Sequence, residues 1–280
     1  MATGRARNGS IELVYRVAAE GRPLLLISGN GAQMGHWPGA FVAALTGRGF
    51  RVAMFDNRDI GQSTHVEEPY SLGDLAGDAL AVLDALGWHS AHVMGLSLGG
   101  MVGQVLAARH PARVRSLTTM SASPAAGWRT VRPRLRTLLK VLALGRPDGT
   151  REAAGDFVVK LTRIIGSPGY PFDEKETRDI AVRAHDISDD RAGTARQLHA
   201  VATSGDRRGE LGLISAPTLV VHGEADPLLS VRAGRATAAA IPGARLLTFP
   251  DVGHDLVPPA LWPQFLDAVT DLADSAEVPG

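Results

Sequence analysis

The residues best suited to chemistry are a serine, an aspartate and a histidine that follow one another along the chain. Ser97 lies within Gly95-Leu96-Ser97-Leu98-Gly99, a G-x-S-x-G pattern. A serine hydroxyl is a poor nucleophile at neutral pH, and enzymes activate it with a histidine that a carboxylate orients. Asp226 and His254 supply these two residue types further along the chain. The pattern predicts acyl transfer with these three residues as a catalytic triad.

Each of the three residues follows a short apolar segment that is typical of a buried strand. In chain order, these segments are Ala91–Met94, Thr218–His222 and Arg245–Phe249. Ligands of open α/β sheets bind beyond the carboxyl ends of the strands, so the three side chains are expected at one rim. Glu224 remains an alternative to Asp226 as the acid, because it lies on the same loop.

The backbone donors that would stabilise a tetrahedral oxyanion are expected from two loops. One is the N–H of Leu98, the residue after the serine. The other is assigned to Asn30, in a glycine-rich loop after the second predicted strand. Gly29, Gly31 and Trp37 of the same loop are assigned to substrate contact, since glycine lets a backbone approach a ligand closely. A glycine-rich turn without a ligand role is the alternative.

The elements that must position these residues alternate between apolar segments and helical patterns, which predicts an α/β fold with a mostly parallel sheet flanked by helices. Most predicted strands are apolar without alternation, as expected for strands buried on both faces. They cover Ile11–Val17, Leu24–Ser28, Arg51–Phe55, Ala91–Met94, Val114–Met120, Thr218–His222 and Arg245–Phe249. The first two precede any clear helix and are expected to pair as a hairpin.

The strand pattern stops between residues 124 and 212, where prolines separate several helical patterns. We therefore predict a helical cap over 124–212, inserted in a core made of 1–123 and 213–280. Within it, Trp128–Leu144 combines leucines at near-helical spacing with many cations. Leu135 and Leu139 are assigned to lining a substrate pocket. The alternatives are an interfacial helix on a lipid surface and an amphipathic helix packed on the core.

Composition argues against several other classes of protein. The 280 residues include no cysteine, which excludes disulfides and thiolate chemistry, and 29 cationic residues balance 29 acidic ones. A balanced chain offers no field that favours nucleic acid. No histidine pair has the spacing of metal ligands on one helix face, so no metal is expected. The apolar segments are too short for stable membrane insertion, and residues 1–10 lack a signal-peptide pattern, so we expect a cytoplasmic protein.

These motifs resemble those of the α/β-hydrolase fold superfamily over nearly the whole chain. The matching segments are Ser28-Gly29-Asn30 with Trp37, Asp56–Ser63, Gly95–Gly100, His222–Pro227 and Gly253-His254. More narrowly, the chain is similar to the lipase and carboxylesterase branch and to aclacinomycin methylesterases. The resemblance implies that Ser97, Asp226 and His254 form the triad, that Asn30 and Leu98 supply the oxyanion donors, and that the insertion roofs the active site. The chain departs from the family at Ser28, where histidine is common, and at Asp59, where glycine is common.

The function expected from these residues is hydrolysis of a carboxylic ester through an acyl-enzyme intermediate. The partner is an apolar small-molecule ester, and the chemistry requires no cofactor. The same triad also supports a natural-product tailoring enzyme (a methylesterase, thioesterase, C–C hydrolase or cyclase) or a perhydrolase, because fold does not fix function. A non-catalytic binder of a small ligand is the alternative from another class, although a binder needs none of the three residues.

Overall fold

An eight-stranded sheet forms the centre of the computed structural model, which describes residues 1–125, 135–145 and 147–277. Its strand order is β1-β2-β4-β3-β5-β6-β7-β8. The strands are β1 (Ala2–Asn8), β2 (Ile11–Ala18), β3 (Arg22–Ile27), β4 (Phe50–Phe55), β5 (Ala91–Leu96), β6 (Val114–Met120), β7 (Thr218–Gly223) and β8 (Arg245–Phe249). Only the β1–β2 and β2–β4 pairings are antiparallel, and the rest are parallel. The predicted mostly parallel sheet is confirmed.

The N-terminal strands pair differently from the prediction. The hairpin expected between the first two predicted strands is wrong: β2 pairs with β1 and β4, and β3 lies between β4 and β5. A hairpin does exist, but it joins β1 to β2 through Gly9 and Ser10, with Asn8 opposite Ile11. Gly9 has a φ of 59°, as a tight turn requires. The composition of β1 is too polar to predict a strand. Only Ala6 is buried in this edge strand, so its other positions need no apolar residue.

Helices cover both faces of the sheet and give it two apolar cores. One face carries α1 (Gly39–Thr46) and α10 (Trp262–Glu277), and the other carries α2 (Leu72–Ala85), α3 (Leu98–Arg109) and α9 (Val231–Ala240). Within β3, Leu24 and Leu26 join the first core, and Leu25 and Ile27 join the second. Side chains alternate between the faces of a strand, so an unbroken apolar run fits a doubly covered sheet.

Five helices lie among the described residues between β6 and β7. They are α4 (Leu135–Ala143), α5 (Arg151–Ile165), α6 (Glu174–Ile187), α7 (Arg191–Thr203) and α8 (Arg208–Leu211). We call them the helical insertion. No described helix has the length and apolar character needed to cross a membrane.

The described leucines of α4 are exposed. Residues 126–134 of the predicted segment Trp128–Leu144 lie outside the described residues. In α4, Leu135 is 69% and Leu139 is 57% exposed, whereas the buried residue is Thr137. Leu135 and Leu139 thus face solvent, and their assignment to a pocket lining stays a prediction. The same exposure argues against packing of that apolar face on the core.

A buried ion pair joins α7 to the core. Arg196 donates two hydrogen bonds to Asp59, of 2.8 and 3.0 Å, and the Asp59 side chain is fully buried. A Cβ at Gly193 would lie 2.5 Å from the Asp59 Cβ, so only glycine lets α7 approach this closely. Asp59, His65 and Asp190 offer ligand atoms within 4.8 Å of one another, the spacing of a cation site. Arg196 already bonds both carboxylates, however, and supplies the compensating positive charge.

Candidate active site

Ser97 stands on a strained turn between β5 and α3. Its φ of 54° and ψ of −115° are rare for a residue with a side chain, and such strain often marks functional sites. Two glycines make the turn possible, because a Cβ at Gly95 would lie 2.2 Å from the Gly99 carbonyl oxygen. A Cβ at Gly99 would lie 2.0 Å from the carbonyl oxygen of Ile27. The glycines of the G-x-S-x-G pattern are thus required by crowded backbone, which presents the serine at the end of β5.

The structure brings Ser97, His254 and Asp226 into one hydrogen-bonded line. His254 Nε2 lies 3.0 Å from Ser97 Oγ, and His254 Nδ1 lies 2.7 Å from Asp226 Oδ2. An ionised carboxylate can only accept, so the proton on the ring belongs on Nδ1. Nε2 is then free to accept from the serine hydroxyl, which is the arrangement a general base needs.

The environment of Asp226 keeps it ionised. Its side chain is fully buried, and Oδ1 accepts hydrogen bonds of 2.8 Å from the N–H groups of Leu228 and Leu229. Burial by itself raises the pKa of Asp226. Positive charge on His254 and the hydrogen bonds from His222, His254 and Leu229 outweigh burial, so the pKa lies well below its usual range. A carboxylate in this state holds and orients the His254 ring.

The neighbours of Asp226 have other roles. Glu224, the alternative acid, is exposed and accepts a 2.8 Å hydrogen bond from Thr248 Oγ1. The carboxylate that faces His254 is therefore that of Asp226. His222 is buried at the end of β7, and its Nε2 lies 2.7 Å from the Leu229 carbonyl oxygen. That contact fixes the orientation of the His222 ring.

The loop that carries His254 is held by the helical insertion. The His254 N–H donates to the Ile165 carbonyl oxygen at 2.7 Å, and the Gly253 N–H donates to Ser167 Oγ at 3.0 Å. Ser167 in turn donates to Asp255 from its N–H (3.0 Å) and from its hydroxyl (2.6 Å). Burial raises the pKa of Asp255, against the opposing effect of the Ser167 hydrogen bonds. Sequence reasoning missed Ile165 and Ser167, since neither belongs to a motif with a catalytic signal.

The glycine-rich loop after β3 lies against the serine turn. A Cβ at Gly29 would be 3.6 Å from the Ser97 Cβ, so this loop borders the nucleophile. Leu98 is the first residue of α3, where a backbone N–H has no partner within the helix. Among the described residues, Ser28 Oγ and Asn30 Oδ1 are buried without a hydrogen-bond partner. Such atoms are uncommon and call for a water or a ligand.

Trp37 lies in the core instead of at the site. It is 6% exposed, and its ring stacks on Phe41 with a centroid distance of 5.8 Å. Phe41 in turn contacts Trp262 and Phe265 of α10. The assignment of Trp37 to substrate contact is therefore corrected, because its apolar surface is used up in packing α1 against α10.

A cavity of about 300 Å³ lies between the helical insertion and the His254 loop. Its walls include Ser167, Tyr170 and Phe172 on one side and Asp255 and Leu256 on the other. Ser97 is not among its described lining residues. The cavity thus borders the loop of the histidine.

The comparisons with known proteins agree with this architecture. The family model described as alpha/beta hydrolase fold matches residues 22–259. Rhodomycin D methylesterase DauP of Streptomyces sp. (strain C5) is 34% identical over 260 residues, covering 84% of this chain and 85% of that protein. The pimeloyl-acyl-carrier-protein methyl ester esterase of Aeromonas hydrophila subsp. hydrophila is 33% identical over 214 residues, covering 75% of this chain and 79% of that protein.

A solved structure extends the likeness to the whole fold. The enol-lactonase from Burkholderia xenovorans LB400 superposes with a TM-score of 0.74 at 27% identity, covering 98% of this chain and 99% of that one. The strand order and the serine turn agree with the family match and with the relatives, so all of them support the same family. The chain belongs to the alpha/beta hydrolase fold family.

Proposed function

We propose that this hydrolase cleaves carboxylic esters through an acyl-enzyme intermediate, with Ser97 as nucleophile, His254 as general base and acid, and Asp226 as the orienting carboxylate. The observation that carries the proposal is the hydrogen-bonded line from Ser97 Oγ through the His254 ring to Asp226. Its position on a strained turn adds support, because strain that the surrounding glycines tolerate is typical of functional sites.

The first half of the reaction acylates the serine. His254 Nε2 takes the hydroxyl proton as Ser97 Oγ attacks the carbonyl carbon of the ester. The negative charge passes to the carbonyl oxygen, for which we propose the N–H groups of Leu98 and Asn30 as donors. The tetrahedral intermediate then expels an alkoxide, which receives the proton from His254 Nε2 and leaves as an alcohol.

The second half releases the acid and restores the enzyme. His254 takes a proton from water, and the resulting hydroxide attacks the acyl carbon. The new tetrahedral intermediate expels Ser97 Oγ, which regains its proton from His254. Asp226 stays ionised throughout, since its environment lowers its pKa, and it stabilises the cation that His254 becomes in each half.

The substrate class we propose is a methyl ester of a larger carboxylic acid. Support comes from two relatives at 33–34% identity, each named as a hydrolase of a methyl ester. We further propose that the insertion, at residues 124–212, acts as a cap on the site. The bonds from Ile165 and Ser167 to the His254 loop support this, since they couple the insertion to the proposed base.

The test compares hydrolysis by the natural chain with that by Ser97→Ala. We expect the variant to lose about 10⁴-fold or more in kcat on a p-nitrophenyl ester series, because the nucleophile is gone. Ser90→Ala is the matched control, since the Ser90 hydroxyl accepts a 2.9 Å hydrogen bond from Arg115 at the start of β5, away from Ser97. Methanol release from methyl esters then tests the substrate class. Serine-independent hydrolysis would refute the mechanism.

Labelling separates an enzyme of narrow specificity from a binding protein. A fluorophosphonate reacts only with an activated serine, so an active triad labels at Ser97 whatever its natural substrate is. Labelling without hydrolysis of simple esters indicates a specialised substrate, as in a tailoring enzyme. Failure of the folded natural chain to label would overturn the proposed function and favour a non-catalytic binder.

A further inference from the structure

Gln197 of α7 reaches from the helical insertion into the loop that we assign to the oxyanion. It is fully buried. Its Oε1 accepts a 2.9 Å hydrogen bond from the Gly31 N–H, and its Nε2 donates to the Arg58 carbonyl oxygen at 3.2 Å. A backbone N–H can only donate and a carbonyl can only accept, so these two partners fix the amide in one orientation.

Gly31 does not fix its own conformation, because glycine adopts positive and negative φ angles about equally readily. Its φ of 69° lies in the left-handed region. The Thr194 side chain limits the space beside it, since a Cβ at Gly31 would lie 3.1 Å from Thr194 Cγ2. On the other side of Asn30, Gly29 lies against Ser97. Asn30 is thus held between a contact with the nucleophile and a contact with α7, and the direction of its N–H depends on both.

The position of α7 is itself fixed. The preceding residue, Arg196, makes the bidentate pair with buried Asp59, and Gly193 packs directly on Asp59. Gln197 therefore hydrogen-bonds the loop from a helix that cannot easily shift. A bond between two buried groups at a fixed distance is suited to holding a backbone donor within the tolerance that catalysis requires.

We propose that Gln197 is a positioning residue for the oxyanion loop, through which the helical insertion sets the geometry of transition-state stabilisation. The inference rests on the proposed function, because it requires the Asn30 N–H to be an oxyanion donor. It assigns the insertion a part in the chemical step in addition to a part in substrate access. Gln197 does not need to touch the substrate.

The experiment replaces Gln197 with methionine, which keeps the length of the side chain and removes both hydrogen bonds. Gln33→Met is the matched control. Gln33 is buried on the same loop and donates to the Ala184 carbonyl oxygen of α6 at 2.8 Å, so it also joins core and insertion, but it does not bond Gly31. Each variant is assayed for kcat and KM on a p-nitrophenyl ester, for inhibition by a trifluoromethyl ketone that forms a tetrahedral adduct, and for its thermal midpoint.

For Gln197→Met we expect kcat to fall about 10- to 100-fold with KM changed less than about 3-fold, because a displaced donor affects the transition state more than the bound ester. Inhibition by the ketone should weaken in proportion to kcat. Gln33→Met should keep kcat within about 3-fold. Equal losses in both variants, or losses that follow the thermal midpoint alone, would overturn the inference and leave Gln197 a merely structural residue.

A second variant covers the case in which Gln197→Met does not fold. Gln197→Glu keeps the acceptor for the Gly31 N–H, and its protonated form, which burial favours, also keeps a donor to the Arg58 carbonyl oxygen. We expect its kcat to exceed that of a Gln197→Ala variant, which lacks both groups, and equal kcat values in the two would refute the role of the Gly31 bond. If Ser97→Ala abolishes hydrolysis but the Gln197 variants are normal, only this inference fails. Hydrolysis that does not depend on Ser97 at all means that the proposed function fails first.

Discussion

Two arginine–aspartate pairs share one geometry, and we expect burial to decide how much each pair stabilises the fold. Arg196 donates from Nε and Nη2 to Asp59 at 2.8 and 3.0 Å, and Arg151 donates from the same two atoms to Asp186 at 2.9 and 2.9 Å. The side chains of the first pair are 18% and 0% exposed, and those of the second are 57% and 45% exposed. Replacing either arginine with methionine removes the same bidentate contact from two very different environments.

The expected losses of stability differ because only the Asp59 carboxylate is left buried without its cationic partner. In Arg196→Met, Asp59 stays buried with the Val66 N–H as its remaining backbone donor, at 2.7 Å. Breaking a buried pair in this way costs about 3–5 kcal/mol, and we expect the lower end because Arg196 reaches solvent. At roughly 2–4 °C per kcal/mol, the thermal midpoint should fall by about 6–12 °C. In Arg151→Met, water solvates Asp186, so the midpoint should move by no more than about 2 °C.

Thermal and urea unfolding of the two variants at pH 7 measures the difference, and a pH series identifies its source. Burial raises the pKa of Asp59, but the hydrogen bonds from Arg196 and Val66 outweigh burial and leave the pKa below its usual value. A depressed pKa gives stability that is present above about pH 4 and is lost as pH falls through the folded value. The difference in free energy of unfolding between the natural chain and Arg196→Met should therefore become smaller below about pH 4. Equal losses for both variants at pH 7 would refute the reasoning.

Three further predictions concern single contacts. Burial lowers the pKa of His65, but the hydrogen bond and charge of Asp190 outweigh burial and raise it. A raised pKa stabilises the fold below about pH 6.5, and this stabilisation is lost as pH rises through the pKa of the folded state. The thermal midpoint of His65→Gln should therefore fall further below that of the natural chain at pH 5.5 than at pH 8.5. An equal loss at both values would contradict this. In a urea titration, Gly99→Ala should lower the free energy of unfolding by about 3 kcal/mol or more, because its Cβ would lie 2.0 Å from a backbone oxygen, and it should abolish activity. Gly39→Ala is the control and should be nearly neutral, because a Cβ there meets open space. Leu139→Ser should change the free energy of unfolding by less than about 0.5 kcal/mol, since the side chain is exposed, and a loss above about 1 kcal/mol would show that α4 buries it.

The sequence predicted the features that depend on neighbouring residues. The G-x-S-x-G pattern indicates a strand, a tight turn and a helix in succession, because its glycines are required by crowding within that short segment. Val114–Met120 and Arg245–Phe249 match their strands residue for residue, because both are rich in residues that favour strands and lie between turns. Asp226 and His254 follow from the same logic, each placed just beyond a strand.

Exposure and pairing were harder to predict, because they depend on which surface meets which. A tryptophan beside a glycine-rich loop has the same local signal whether it faces a ligand or the core, and Trp37 faces Phe41. The leucines of α4 follow a helical period that predicts one apolar face without saying where it points. The antiparallel edge strand β1 carries too few apolar residues to stand out.

The sequence by itself predicted the strand, turn and helix around Ser97 and the residues that we propose as its acid and base, because these signals lie in short local patterns. Only the tertiary structure decided what holds these residues in place. Gln197 and Gly31 lie 166 positions apart, Arg196 and Asp59 lie 137 apart, and Ser167 and Gly253 lie 86 apart. A glutamine, an arginine and a serine are ordinary residues of polar helices and loops. Their roles arise because folding brings the helical insertion onto the core and buries their polar groups against single partners, where an unmet hydrogen bond is costly.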